Sequence, residues 1–245
     1  MGIDCNTITS NDTNERNISI SRCYITNQIY IRGTNWLIEN NIINTINFDY
    51  TDYCSGNNSY PITAIIANNI VWSNIELNYP YCGYLNGANI LINHNIIEGE
   101  IQEFDYTNIT NNIFYYGDES AGYNDNYNSY NNNVTVYSSK DSLQQGTNSG
   151  SNDIYNPSTL FVSGGPSSRQ TGGNILSYNW GVSSSSPAHS AATDGSDIGI
   201  YGGSSPMPNL TGASTLPQMT FLNINNSVTP VGGKLNINFK ARTQN

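Results

Sequence analysis

The chain has 245 residues, of which 37% are hydrophobic and only 11% charged, and a formal net charge of −10. That length buries a sizeable core, as one long domain or one domain with a small partner, and the low charge excludes disorder driven by self-repulsion. The eight basic residues, Arg16, Arg22, Arg32, Lys140, Arg169, Lys234, Lys240 and Arg242, all lie outside Gly33–Ser139, a stretch that holds eleven of the eighteen carboxylates. Nucleic acid and anionic membranes both need a cationic footprint, so this balance argues against either as a partner.

Cys5, Cys23, Cys54 and Cys82 are spaced 18, 31 and 28 apart, and there are only two histidines, which is a poor zinc pattern. Two readings stay open, buried free thiols or one or two disulfides in an exported protein, with Cys54 and Cys82 the pair that adjacent loops would bring together. No apolar run reaches transmembrane length. Met1 opens no secretory signal, and Asn6 stands where myristoylation needs Ser or Thr, so export is expected to require a longer precursor.

From "NISISRCYI" onward one phrase returns. Aligned on its second polar residue, it places Cys23, Asn41, Asn69, Asn95, Asn112 and Asn133 in one column, at steps of 18, 28, 26, 17 and 21 residues. Three places earlier stand Ile20, Ile38, Ile66, Ile92, Ile109 and Tyr130; one place later stand Tyr24, Ile42, Ile70, Ile96, Ile113 and Val134. Asn-Asn between isoleucines suits neither a helix interior nor a two-residue hairpin turn. Self-similarity at this period predicts a solenoid of short parallel strands about 4.8 Å apart, in which each Asn hydrogen-bonds to the Asn of the next coil as a ladder. The uneven steps predict loops at "DYTDYCSGNNSYP" and "ELNYPYCGYLNG", rich in Tyr, Asn and Gly.

The closing segment "SSSSPAHSAATDGSDIGIYGG", with Ser186, Pro187, Ala188, Asp194, Gly195, Asp197, Ile198, Gly199 and Tyr201 at its characteristic places, resembles the terminal phrase of right-handed parallel β-helix proteins of the pectate-lyase-like group, particularly secreted or surface proteins of Bacteroidetes type. Ala192 replaces the usual Gly. The resemblance implies an all-β right-handed parallel β-helix over residues 1–203, ended by a C-terminal cap. In that cap Asp194 and Asp197 would accept backbone N–H bonds, or else contribute to a calcium loop. No cofactor is expected other than Ca2+ in that alternative. A polar stretch follows Asn133, with a strand at "TLFV". Residues 204–245 contain two alternating runs, "MTFLNINNSV" and "KLNINFKA", which read as a β-hairpin or small β appendage.

For chemistry, "EGEIQEFD" offers Glu98, Glu100, Glu103 and Asp105. In a strand Glu98 and Glu100 would point to one side roughly 7 Å apart, near the lower end of the range for inverting glycosidases. The competing reading puts Ile97, Gly99 and Ile101 inward and leaves the glutamates as a solvated outer face. A lyase of the resembling group would need a Lys or Arg base, which the central coils lack, and the polygalacturonase residue sets are absent. His94 falls in the polar turn column of Arg22, Asn40, Asn68, Asn111 and Asn132. Tyr53, Tyr60, Tyr79, Tyr81 and Tyr84 sit in the two loops, and Tyr115, Tyr116, Tyr123, Tyr127 and Tyr130 follow; tyrosines among asparagines suit sugar stacking, or pack the loops. Seven N-x-S/T sequons, at Asn11, Asn17, Asn57, Asn108, Asn133, Asn209 and Asn225, are unremarkable in so Asn-rich a chain. The expectation is a non-catalytic extracellular or cell-surface scaffold, adhesive or glycan-binding, with a polysaccharide or cell-surface molecule as partner. The alternatives are a polysaccharide-degrading enzyme and a subunit that self-assembles into a fibre by strand addition.

Overall fold

The computed structural model describes residues 4–9, 16–48, 62–77, 85–86, 89–115, 126–136, 143, 146–165, 175, 177–208, 210, 218–224 and 237–242. Among these there is no helix long and apolar enough to cross a membrane. The chain divides into two units, Met1–Pro208 and Asn209–Asn245.

The first unit is a parallel β-helix. β1 (Asp4–Thr9) is followed by β2 (Arg16–Ser21) and β3 (Tyr24–Ile31), then by β4 (Thr34–Glu39) and β5 (Ile42–Phe48). Next come β6 (Ala64–Ala67), β7 (Ile70–Val71), β8 (Ile75–Leu77) and β9 (Leu85–Asn86), and then β10 (Ile90–Asn93), β11 (Ile96–Ile97), β12 (Ile101–Gln102) and β13 (Phe104–Asp105). The last coils contribute β14 (Asn108–Thr110), β15 (Ile113–Phe114), β16 (Ser129–Asn131), β17 (Val134–Thr135), β18 (Ser149–Ser151) and β19 (Ile154–Tyr155). One sheet, here the front sheet, runs β18-β16-β14-β10-β6-β4-β2; the back sheet runs β1-β3-β5-β7-β11-β15-β17-β19, with β8 and β12 beside it, and β9 pairs with β13.

The register reproduces the sequence columns residue for residue. Ile20, Ile38, Ile66, Ile92, Ile109 and Tyr130 are paired in succession across the front sheet. Tyr24, Ile42, Ile70, Ile96, Ile113 and Val134 are paired across the back sheet. Every isoleucine in these columns is buried, and burying one such side chain contributes about 1.5–3 kcal/mol. The front column continues from Tyr130 to Gly150, where a Cβ would lie 1.6 Å from the Tyr130 carbonyl oxygen. Glycine there lets the chain close over the buried tyrosine.

Coils are numbered one to seven by their bend residues Cys23, Asn41, Asn69, Asn95, Asn112, Asn133 and Asp153. The "TLFV" segment does not form a strand; Phe161 makes a single antiparallel bridge to Val182. Its ring instead joins Tyr115 and Trp180 in an aromatic cluster with centroids 5.3 to 5.9 Å apart. In the second unit β20 (Gln218–Ile224) and β21 (Ile237–Arg242) pair antiparallel.

Candidate functional site

Two bends flank the front sheet. At the bend after it, each backbone N–H and side-chain amide donates to the side-chain oxygen of the next coil. The N–H groups of Asn41, Asn69, Asn95 and Asn112 reach the Oδ1 atoms of Asn69, Asn95, Asn112 and Asn133 at 2.9 to 3.0 Å. The column begins with Cys23, whose N–H donates to Asn41 Oδ1 at 2.9 Å, and runs on to Asp153, whose Oδ1 accepts from Asn133 N–H at 2.8 Å. Each Nδ2 also donates to a carbonyl of the preceding coil, at Ile20, Ile38, Ile66, Ile92 and Ile109. The residue before each rung, from Arg22 through Asn40, Asn68, His94, Asn111, Asn132 and Asn152, has positive φ between 54° and 60°. Asn is the common choice there because its short polar side chain tolerates the left-handed region.

The segment expected to cap an end of the solenoid lies elsewhere. It runs as a strap along this ladder bend from coil six back to coil two, because the outward side chains of the bend offer it partners. Asn132 Nδ2 donates to Ala191 O at 2.7 Å, and Asn111 exchanges bonds of 2.9 Å with Thr193 N–H and Oγ1. Gly199 N–H reaches Asn111 O at 2.9 Å. Asn68 Nδ2 donates to the carbonyls of Ile200 and Gly202 at 2.9 and 2.8 Å, and Asn40 Nδ2 to Ser205 Oγ at 3.3 Å. His94 is 1% exposed beneath the strap, with Nδ1 3.2 Å from Gly199 O and Nε2 3.8 Å from Asp194 Oδ2. Burial lowers its pKa; the neighbouring Asp194 carboxylate and the backbone contacts at Gly199 and Asp197 oppose this. His94 is therefore a buried docking residue of the turn column. Asp194 accepts from Ser196 N–H and Oγ, and Asp197 from Ser190 N–H, with His189 Nδ1 2.7 Å away. The carboxylates thus stitch the strap's own turns. No group of three or more His, Cys, Asp or Glu that could hold a metal ion occurs among the described residues.

Among the described residues, none covers the bend before the front sheet, here the open bend. Its column is Asn17, Asn35, Thr63, Asn89, Tyr106, Tyr127 and Thr147, and Tyr106 and Tyr127 stand 51% and 55% exposed. Their rings stack with centroids 5.0 Å apart and planes 7° from parallel. The backbone N–H groups of Tyr106 and Tyr127 are held by Asn126 O and Thr147 Oγ1. Just inside, a second and shorter ladder runs through buried Thr107 and Asn128: Thr107 N–H donates to Asn128 Oδ1 at 2.7 Å, and Asn128 N–H to Asn148 Oδ1 at 2.9 Å.

Between the stacked tyrosines and the strap lies an open trough of about 610 Å³, lined by Tyr106, Tyr127, Asn108, Ser129, Asn131 and Thr193 among others. Its floor is the outward row of the front sheet, fixed by cross-coil bonds from Thr110 Oγ1 to Asn93 Oδ1 and from Ser151 Oγ to Asn131 Oδ1, and by Asn131 Nδ2 donating to Ser129 Oγ. Toward coil two the same floor becomes apolar, through Leu91, Ile65 and Leu37, with Ile65 45% exposed.

The four acidic residues stand in different environments. Glu98, read as half of a solvated pair, is wholly buried. The alternation fails because β11 is only two residues long and the chain bends at Glu98 and Gly99. Glu100 accepts from Gln102 Nε2 at 2.5 Å. Glu103 has φ 67° and a pKa raised by partial burial and then by Glu76, whereas Asp105, also raised by partial burial, accepts Asn126 N–H. The four carboxylates are thus spread along one coil, Glu98 at the bend after β11, Glu100 and Glu103 on either side of β12, and Asp105 in β13.

Tyr53, Tyr60, Tyr79, Tyr81 and Tyr84, with Cys54, Cys82, Tyr116 and Tyr123, lie outside the described residues. Tyr115 and Tyr130 are core, leaving Tyr127, joined by Tyr106, as the exposed pair. The Cys23 thiol donates to Ser21 O. The Asn133 sequon coincides with a buried rung, while Asn17 and Asn108 are exposed. The signal for Tyr106 was its place two residues before Asn108, in register with Tyr127 two before Ser129.

No family model matches the chain, and neither a curated protein nor a solved structure matches it. The parallel β-helix rests on strand register, and no relative places it in the pectate-lyase-like group or in a Bacteroidetes lineage.

Proposed function

We propose that the protein is a non-catalytic scaffold, acting outside the cell or on its surface, that binds uncharged carbohydrate in the trough of its front sheet. The observation that supports this reading is the stacked, half-exposed pair Tyr106 and Tyr127 beside a floor of hydroxyl and amide side chains. Stacked on each other, the two rings each keep one face clear of the pair for the apolar C–H face of a sugar, and Ser, Thr and Asn satisfy its hydroxyls. Because the floor residues are already tied to one another, binding orders few new side chains. Dispersal of the acidic residues around one coil favours binding over cleavage.

The test is retention of the purified chain on a panel of neutral polysaccharides, with released reducing ends measured alongside. Tyr106→Ala and Tyr127→Ala should each weaken retention about tenfold, about 1.4 kcal/mol, without changing the melting temperature. Retention unaffected by either substitution would remove the trough from the reading. Release of sugar ends would replace the scaffold with an enzyme.

A further inference from the structure

The trough has a direction, and the direction constrains what can lie in it. One wall is the open-bend column and the other the strap, and both run along the solenoid axis, so the floor between them is a track crossing successive coils. On that track each coil contributes two outward side chains. Coils seven, six and five give Ser149 and Ser151, Ser129 and Asn131, and Asn108 and Thr110. Coils four, three and two give Leu91 and Asn93, Ile65 and Ala67, and Leu37 and Glu39. The front sheet keeps this register from β18 to β4 without a bulge, whereas the back sheet shifts between Cys5 and Thr7 and between Ile25 and Gln28. The two outward positions therefore repeat at the strand spacing of about 4.8 Å.

Charge narrows the ligand further. Floor residues of coils three to seven carry no ionisable group. On the strap wall the carboxylate beside Thr193 is Asp194, which is engaged by Ser196 and faces His94. A polyanion or polycation would lose its hydration along the track without a counter-charge to replace it.

Resting on the binding reading above, we infer that the trough takes a linear, uncharged, β-linked glycan laid parallel to the solenoid axis, about one sugar to each coil. A flat, extended β-linked chain advances per sugar by nearly the strand spacing and flips its ring at each step, so alternate sugars present the same hydroxyl edge to every second coil. An α-linked chain that winds into a helix leaves the track. Coils five to seven supply the polar grip and the tyrosine wall; Leu91, Ile65 and Leu37 extend the floor beneath the apolar ring faces of a longer chain.

The experiment is calorimetric titration of the full chain with β-1,4-linked gluco-oligosaccharides of increasing length, with α-1,4-linked oligosaccharides of equal length as controls. Affinity should rise with each sugar through about six units, one for each coil from seven to two, and the α-linked series should bind at least tenfold more weakly. Ile65→Arg, at a side chain already exposed, should return the hexamer to the affinity of the trimer and leave the trimer unchanged. Tyr127→Ala should weaken both. Affinity that does not change from dimer to hexamer, a hexamer indifferent to Ile65→Arg, or equal binding of the α-linked series would overturn the axial path while leaving a carbohydrate site in place. Absence of binding at every length, with retention on other neutral polysaccharides intact, would overturn the ligand class. Absence of both would remove the binding reading itself.

Discussion

The ladder bend and the open bend share one backbone device. Arg22, Asn40, Asn68, His94, Asn111, Asn132 and Asn152 turn the first with φ between 54° and 60°, and Asn17, Asn35, Tyr106 and Tyr127 turn the second with φ between 56° and 61°. Each of these residues accepts a strain of about 1–2 kcal/mol relative to ordinary backbone. What differs is the roof. The strap covers the ladder bend from coil two to coil six, where the turning side chains bond to it, and the turning residue is Asn in four of those five coils. Nothing described covers the open bend, where water can serve the backbone and the turning residue can be Asn, Thr or Tyr. A repeated backbone can thus be chemically rigid along one edge and free to vary along the other.

The largest expected difference between the edges comes from removing one residue on each. Asn95→Leu takes away the oxygen that receives Asn69 N–H and the amide that serves Ile66 O, Asn93 O and Asn112 Oδ1. With each buried orphan costing about 1–3 kcal/mol, the loss should be about 3–6 kcal/mol. Tyr127→Ala on the exposed edge should change stability by less than about 1 kcal/mol. Urea unfolding of the two variants decides this; comparable losses would mean that the roof is not what separates the bends.

A change in the roof itself should have an intermediate effect. A Cβ at position 202 would lie 1.9 Å from Asp197 O and 2.7 Å from the His94 ring, so Gly202→Val should cost about 1–3 kcal/mol. It should also raise amide exchange in the strap and at Asn68 and His94, while leaving exchange at Tyr106 and Tyr127 unaltered. Exchange rising equally at both bends would show that the sheet, not the strap, had been disturbed.

The smallest effect is a dependence on pH. Docked His94 has a pKa below the ordinary 6.5, first because it is buried. Above pH 6.5 the ring is neutral whether docked or not and the docked state keeps its full stability. As pH falls below 6.5 the detached chain takes up a proton that docked His94 resists, and stability declines toward the lowered pKa. Asp194, lowered chiefly by its hydrogen bond from Ser196, acts in the same sense only as pH falls below its ordinary 3.8. Strap protection factors, the intrinsic exchange rate at each pH divided by the observed rate, should therefore fall as pH drops below about 6.5, and His94→Asn, which restores the residue used at Asn68 and Asn111, should flatten the profile. A profile unchanged in that variant would assign the effect to another group.

The same contrast explains what could be read from the sequence. The ladder bend was legible because sealed amides demand one residue type, so Asn41, Asn69, Asn95, Asn112 and Asn133 announce themselves despite uneven spacing. The open bend was not, because Asn35, Thr63, Asn89, Tyr106 and Tyr127 share a conformation or a register but no chemistry. Glu98 was misread since alternation holds only while a strand lasts, and β11 ends at Ile97. The strap was recognisable as a distinct segment, yet its resting place depends on carbonyls at Ile200 and Gly202 meeting side chains more than a hundred residues earlier, a pairing with no local signature.

Asp153, the seventh rung, changes the chemistry of the ladder. From Asn41 to Asn133 each rung hands forward a backbone N–H and a side-chain amide, and at coil seven both are received by the Asp153 carboxylate, which has no side-chain amide. Oxygen in place of nitrogen removes one of the two donors that an Asn rung carries. Between Cys23 and Asp153 the coils are interchangeable as far as the ladder is concerned, whatever the size of the loops they carry, because each Asn receives and donates alike.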